Sequence, residues 1–184
     1  MLVSVRGAQF RLHFMSKLAT AKWNCYKSKI NPEKRTHMDI RIEKREGFTI
    51  GGYLIETLAT DESYDAKSID LRNKHEESLR ANDTILYGAT WFTNDEKLYY
   101  LFGMEQRNNE GKDSVSIPTG LFAVATVPKD MPLIQAWVEM WEEKGLPSTG
   151  YKYIEAEKCF ELFGEDGARE IWVPVVKSNI KTLT

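Results

Sequence analysis

At 184 residues the chain is long enough for one hydrophobic core and a tail, and too short for two full domains. Its 42% hydrophobic and 28% charged content is that of a soluble globular protein, and no apolar run approaches the roughly 20 residues of a membrane span. A net charge of −2 gives no overall attraction to nucleic acid, so neither direct nucleic-acid binding nor a membrane partner is expected.

The charge is unevenly placed. Residues 1–37 hold eight basic residues against the single acid Glu33, a net +7, which leaves −9 for residues 38–184. This basic start has scattered apolar residues without sustained periodicity. It reads as an N-terminal extension, either disordered or upstream of a true start at Met15 or Met38. A mitochondrial targeting peptide and a nucleic-acid-binding arm are the other two readings of the same composition. The acidic remainder favours the approach of cations over anions. Cys25 and Cys159 are the only cysteines, and their placement supports neither a disulfide framework nor a cysteine metal site, so a reducing, cytoplasmic compartment is expected.

From Met38 onward the elements follow in order. Residues 39–45 alternate as a short strand, Glu46-Gly47 form a turn, and residues 48–57 make a second strand rich in aromatic and branched side chains. In the polar stretch 61–83, Leu71, His75 and Leu79 lie four apart, which predicts a helix with a thin apolar stripe. Residues 84–93 and 97–106 predict two strands joined as a hairpin through Asn94-Asp95-Glu96. Residues 114–117 form a short strand, Pro118-Thr119-Gly120 a turn, and residues 121–127 the next strand. Asp130-Met131-Pro132 opens a helix that Gly145 ends, with Leu133, Trp137 and Trp141 on one face as packing against a sheet. Strands at residues 157–163 and 169–176, linked by Gly164-Glu165-Asp166-Gly167, close the chain.

Each half is thus a strand pair, a helix and a hairpin. The fold class is α+β, a pseudo-twofold pair of such modules in residues 38–177 with residues 178–184 as a C-terminal tail. The helices are expected on one face of a mainly antiparallel sheet and a ligand cleft on the other.

A catalytic or metal site is hard to find. His13, His37 and His75 are scattered, Gly51-Gly52 lacks the Lys-Ser/Thr of a phosphate loop, and no serine has a histidine and acid at triad positions. No catalytic residue, metal or cofactor is assigned. The late strands instead carry glutamates beside aromatic rings, and a carboxylate among ring faces suits a hydrophobic cation. Strand alternation puts Glu161 and Phe163 on one face and Phe160 and Leu162 on the other. Glu105 ends its strand on the face of Tyr99, Leu101 and Gly103. Tyr87 and Trp91 share a strand face, Tyr53 lies on the second strand, and Trp172 on the strand expected to pair near Glu161. These rings are the candidate pocket walls. Glu170 reads as solvated.

The segments Leu86-Tyr87-Gly88, Tyr99-Tyr100-Leu101-Phe102-Gly103-Met104-Glu105, Ile117-Pro118-Thr119-Gly120-Leu121-Phe122-Ala123-Val124, Leu146-Pro147-Ser148-Thr149-Gly150-Tyr151, Phe160-Glu161-Leu162-Phe163 and Glu170-Ile171-Trp172-Val173-Pro174-Val175 resemble, in order and spacing, the gyrase-inhibitor-like effector-binding domain. The resemblance covers residues 38–177 and is nearest to stand-alone, cassette-encoded cationic-drug-binding members, as no separate DNA-binding module is read. It implies paired modules around a ligand cleft, multidrug recognition of lipophilic cations of the kind used in transcription regulation, and a ligand-facing glutamate at the position of Glu161. Two alternatives stay open: a hydrolase of strained cyclopropane rings that pairs Glu161 with Tyr87 or Trp91, and a gyrase-inhibitor-like protein-interaction module. Without a second acid/base motif, binding is favoured over catalysis. The natural ligand is left open, as is the oligomeric state, a homodimer included.

Overall fold

The computed structural model describes residues 38–58, 63–93, 97–106, 113–142, 144–154 and 157–178. The expectations for residues 1–37, for residues 179–184 and for the Asn94-Asp95-Glu96 turn lie outside these. The elements are β1 (Ile40–Arg45), β2 (Phe48–Leu58), α1 (Tyr64–Arg80), β3 (Leu86–Phe92), β4 (Lys97–Glu105), β5 (Asp113–Ile117), β6 (Gly120–Val127), α2 (Leu133–Trp141), a 3-10 turn (Leu146–Thr149), β7 (Tyr151–Tyr153), β8 (Cys159–Phe163) and β9 (Arg169–Lys177). Strand alternation and turn residues locate most of them to within a few residues. Two elements escape that reading, the 3-10 turn and the three-residue β7, because neither is long enough to show a period.

The strands form one antiparallel sheet in the order β1-β6-β9-β8-β3-β4-β2-β5, with β7 added against β9. Exchanging β1 with β5, β2 with β6, β3 with β8 and β4 with β9 reproduces this order, so the pseudo-twofold relation passes between the seam strands β3 and β8. The expected α+β class and its duplicated modules hold.

One local expectation is corrected. Glu46-Gly47 and Pro118-Thr119 do not reverse the chain, and β1 and β2 are not partners. β1 pairs with β6 as far as Arg45 opposite Gly120, and β2 pairs with β5 from Phe48 opposite Ile117. The two segments therefore run side by side through a shared bend, and each module lends its first strand to the other. The residues at the bend explain it. Pro118 has no N–H for a ladder, and a side chain at Gly47 would crowd the Ile117 carbonyl and the Thr119 backbone. The Gly47 N–H instead donates to the Thr119 hydroxyl at 2.8 Å.

Both helices among the described residues pack on the same face. α2 is apolar nearly all round and buries Ala136 and Met140 against Ala123, Ala125, Ile171 and Val173. α1 is mostly polar, and its thin stripe places Leu79 and Leu71 over Leu86, Tyr100 and Phe102. Pro132 precedes the first turn of α2, where a missing N–H costs nothing.

The opposite face is not the open cleft that the sequence predicts. The sheet curls so far that it fills that face itself. β2 and β8 are three strand spacings apart, roughly 14 Å in a flat sheet. Yet Phe48 on β2 and Phe160 on β8 meet with ring centres at 5.4 Å. Tyr87, Phe122 and Trp172 complete this ring cluster, backed by Ile50, Val115, Ile117 and Val124. Arg45, at the bend, lies 4.3 Å from the Phe48 ring centre and 5.1 Å from that of Trp172 and donates to the Tyr87 hydroxyl at 2.9 Å. Its guanidinium thereby ties rings from both modules together on this face.

Candidate functional site

The seam between the modules carries an acid. Glu161 is the middle residue of β8, opposite Gly88 on β3 and Ile171 on β9. Alternation turns its side chain to the helix-bearing face, together with Cys159 and Phe163, while Phe160 points into the ring cluster on the other face. The residue is 5% exposed. A buried carboxylate needs partners, and three elements supply them. From α2, the Trp137 indole N–H donates to Oε1 at 2.7 Å. From β4, the Tyr100 hydroxyl donates to Oε2 at 3.0 Å. From α1, the Arg72 guanidinium lies 3.7 Å from Oε2 and donates to the Tyr100 oxygen at 2.9 Å.

Gly88 makes room for this arrangement. A Cβ there would fall on the Tyr100 hydroxyl and the Glu161 carboxylate. The two seam strands thus contribute unlike residues at facing positions, a carboxylate from one module and empty space from the other. Around them the Tyr64 and Tyr100 rings meet edge to face at 6.2 Å, and the Tyr64 and Thr90 hydroxyls lie 3.0 Å apart. The Trp137 and Trp141 indoles stack with ring centres at 6.5 Å and pack against the core beneath α2.

Burial raises the proton affinity of Glu161 above the usual carboxylate range, against the opposing pull of Arg72 and of the indole and phenol hydrogen bonds. Tyr100 and Tyr64 are also raised by burial, so their protons stay on. Arg72 stays charged, because Tyr100 and Glu161 outweigh its own desolvation. The buried Cys159 thiol is pushed up to about 12, which leaves it no thiolate with which to react. Among the described residues no cluster of three or more His, Cys, Asp or Glu side chains is placed to hold a metal ion, and no helix is long and apolar enough to cross a membrane.

The raised acid has a consequence for stability. Its folded-state proton affinity exceeds its unfolded one, so its contribution is fully present below the ordinary carboxylate value near 4.3 and is lost as pH rises through the raised value. Each ten-fold increase in proton affinity corresponds to about 1.4 kcal/mol. Among the described residues that act on the acid, Arg72, Tyr100, Tyr64 and Asp65, the other carboxylate is Asp65, which wild type and Glu161→Gln both carry. Urea midpoints of wild type and Glu161→Gln are therefore expected to shift against each other as pH rises above the ordinary carboxylate range, with wild type losing ground. A constant difference would mean that Arg72 and the hydrogen bonds cancel the burial cost.

The structure divides the residues singled out from the sequence. Glu161 and Phe163 come together, with the Phe163 ring beneath Arg72 at 5.6 Å from the guanidinium carbon. Tyr53 shares their face farther out and stacks on His75 at 3.5 Å. Tyr87, Trp91 and Trp172 belong to the ring cluster on the opposite face, where Trp91 stacks on Tyr99 at 5.3 Å. Glu105 is half exposed on that side, 4.0 Å from Arg45. The sequence does not mark Tyr100, Trp137, Arg72 or Gly88 as site residues. It points to Trp137 as helix-to-sheet packing, which it is in part, and its N–H also reaches the acid.

Residues 41–175 match the family of integron-associated effector binding proteins, Cass2. No curated protein matches the chain. Among solved structures, SAV2435 bound to tetraphenylphosphonium superposes with a TM-score of 0.60 at 16% identity, over 76% of this chain and 94% of that one. The integron cassette protein VCH_CASS2 from the mobile metagenome of Vibrio cholerae superposes with a TM-score of 0.58 at 17% identity, over 76% of this chain and 98% of that one. At such identities these likenesses concern the fold, and the curled, pseudo-twofold sheet with two helices on one face is the fold they share. With the family match spanning most of its length, this chain belongs to the integron-associated effector-binding protein family.

Proposed function

We propose that the protein binds lipophilic cations at Glu161, between α1 and α2 at the seam of the two modules. The observation that carries this reading is a carboxylate only 5% exposed on a central strand, flanked by an indole, a phenol and a benzyl ring. Such a charge is costly to keep away from water and attracts any cation whose own hydration is weak. Ring faces add to that attraction. Phe163 and Tyr53 serve as walls with Tyr100 and Trp137, whereas Tyr87, Trp91, Trp172 and Glu105 act from the other face as support. The likeness to a protein solved with tetraphenylphosphonium supports the choice of ligand class.

The test is a calorimetric titration of the full chain with tetraphenylphosphonium and with neutral triphenylphosphine oxide, followed in parallel by tryptophan fluorescence because Trp137 touches the acid. Clear binding of the cation with much weaker binding of the neutral compound is the expected result. Equal affinities would mean a site that reads shape alone.

The same geometry supports one further reading. The hydrolase alternative needs an aromatic hydroxyl or indole beside the glutamate. Tyr87 and Trp91 lie on the other face, but Tyr100 and Trp137 are in place. Turnover of a cyclopropane-bearing compound by wild type, lost in Glu161→Gln, would replace binding by catalysis.

A further inference from the structure

The cation position beside Glu161 already has an occupant. The Arg72 guanidinium carbon sits 5.7 Å from the Tyr100 ring centre and 5.6 Å from that of Phe163, and Nη1 is 3.7 Å from the carboxylate. Two ring contacts and a carboxylate are what a lipophilic cation would seek in the same place. The contact is loose for an ion pair: 3.7 Å is beyond a charge-assisted hydrogen bond, and the close bond of Arg72 goes to the Tyr100 oxygen at 2.9 Å. The side chain is 17% exposed, so a path to water exists. Glu76 stands one turn further along α1, four residues on, where its carboxylate already takes the Arg80 guanidinium at 2.9 Å, so an outward Arg72 is received mainly by water.

We propose that Arg72 is a tethered stand-in for the ligand cation, which a true ligand must displace, and that this exchange sets the selectivity of the site. The proposal rests on the binding reading above and adds the residue that governs it. Displacement sends a guanidinium back to water and takes the ligand's charge out of it. The balance favours cations with delocalised or screened charge, such as aryl phosphonium and quaternary ammonium ions, whose dehydration costs little. A primary ammonium, compact and strongly hydrated, pays more to enter than Arg72 regains on leaving. The site is thereby closed to the small amines and metal cations that an acidic surface attracts. The open form is a minority state, and apparent affinity falls by the fraction of time for which the position is vacant. If Arg72 fills it nine-tenths of the time, the reduction is about ten-fold.

The experiment compares full-length wild type, Arg72→Met, Arg72→Lys and Glu161→Gln by calorimetry at alkaline pH, which keeps the proton off Glu161 once its counter-charge is removed. Circular dichroism and thermal melts establish that each is folded. Arg72→Gln replaces Arg72→Met if the latter is not, since its amide still reaches the Tyr100 oxygen without a charge. The probes are tetraphenylphosphonium, hexylammonium and triphenylphosphine oxide. Removing the charge at position 72 is expected to tighten tetraphenylphosphonium binding by about ten-fold or more and to admit hexylammonium, with the neutral probe changed by less than about three-fold. Arg72→Lys should fall between wild type and Arg72→Met, because a lysine ammonium returns to water more readily than a guanidinium. Unchanged or weaker cation binding in Arg72→Met, alongside a loss in Glu161→Gln, overturns the displacement and leaves Glu161 as the cation site. Equal tightening for the cation and the neutral probe also overturns it, as that is relief of crowding. If none of the four proteins, Arg72→Met included, binds tetraphenylphosphonium, the binding reading fails as well.

Discussion

Replacing Glu161 by glutamine is expected to weaken tetraphenylphosphonium binding by about 2–5 kcal/mol, from roughly thirty-fold to a few thousand-fold. Glutamine keeps the volume of the side chain and an oxygen for the Trp137 N–H, which now lies 2.7 Å from Oε1. What it removes is the charge. In a site where the carboxylate is 5% exposed, water cannot replace that charge, and much of the loss is the penalty for a cation left unpaired. A neutral ligand of similar shape should lose far less, since its affinity comes from apolar burial and ring contacts. The ratio of the two losses at fixed pH and salt is the measurement. Equal losses would show that Glu161 acts by shaping the site. An unchanged cation affinity would move the site elsewhere, and the next carboxylate is Glu105, beside Arg45 on the ring-cluster face.

The sequence made the fold legible because period and punctuation agree in it. Gly145 and Pro132 bracket the second helix, alternation marks the strands, and the repeated order of elements announces a duplicated domain. It did not reveal the exchange of β1 and β5, since pairing partners leave no local trace and Glu46-Gly47 serves equally well as a reversal or as a bend. The buried acid Glu161 is legible from its place between Phe160 and Leu162 on an apolar strand. Its partners were harder. Trp137, Tyr100 and Arg72 come from a helix, a strand and another helix, 24, 61 and 89 positions away, and only the curled sheet brings them together. Arg72 lies on a helix so polar that one more charge carries no signal. Tyr87 and Trp172 fall beside Glu161 in the sequence reading for a reason of register. They flank it along and across the seam, yet a one-residue offset in register sends a side chain to the other face.

That one-residue offset sets up the second large effect. Phe160→Ala is expected to cost about 3–5 kcal/mol of stability while leaving the cation affinity of the folded protein near that of wild type. Phe160 has no exposed surface and lies amid four rings, stacked on Trp172 at 5.3 Å and meeting Phe48 at 5.4 Å, Phe122 at 5.5 Å and Tyr87 at 6.1 Å. Truncation to alanine leaves a cavity that these large, mutually wedged rings cannot close, and it also removes ring-pair energy beyond the area term. Domains of this size are stable by only about 5–15 kcal/mol, so the variant should be compared by urea denaturation at low temperature, where enough of it stays folded for titration. Its neighbour Glu161 projects to the other side of the sheet and takes its bonds from Arg72, Trp137 and Tyr100 on that side, while β4 borders the vacated space only through Leu101 on the opposite face. A loss much below 1 kcal/mol would show that the ring cluster is loosely packed and that the sheet curls for another reason. A folded variant with a strongly altered cation affinity would show that the two faces are coupled through β8, with the ring cluster setting the angle between the modules and hence the width of the site.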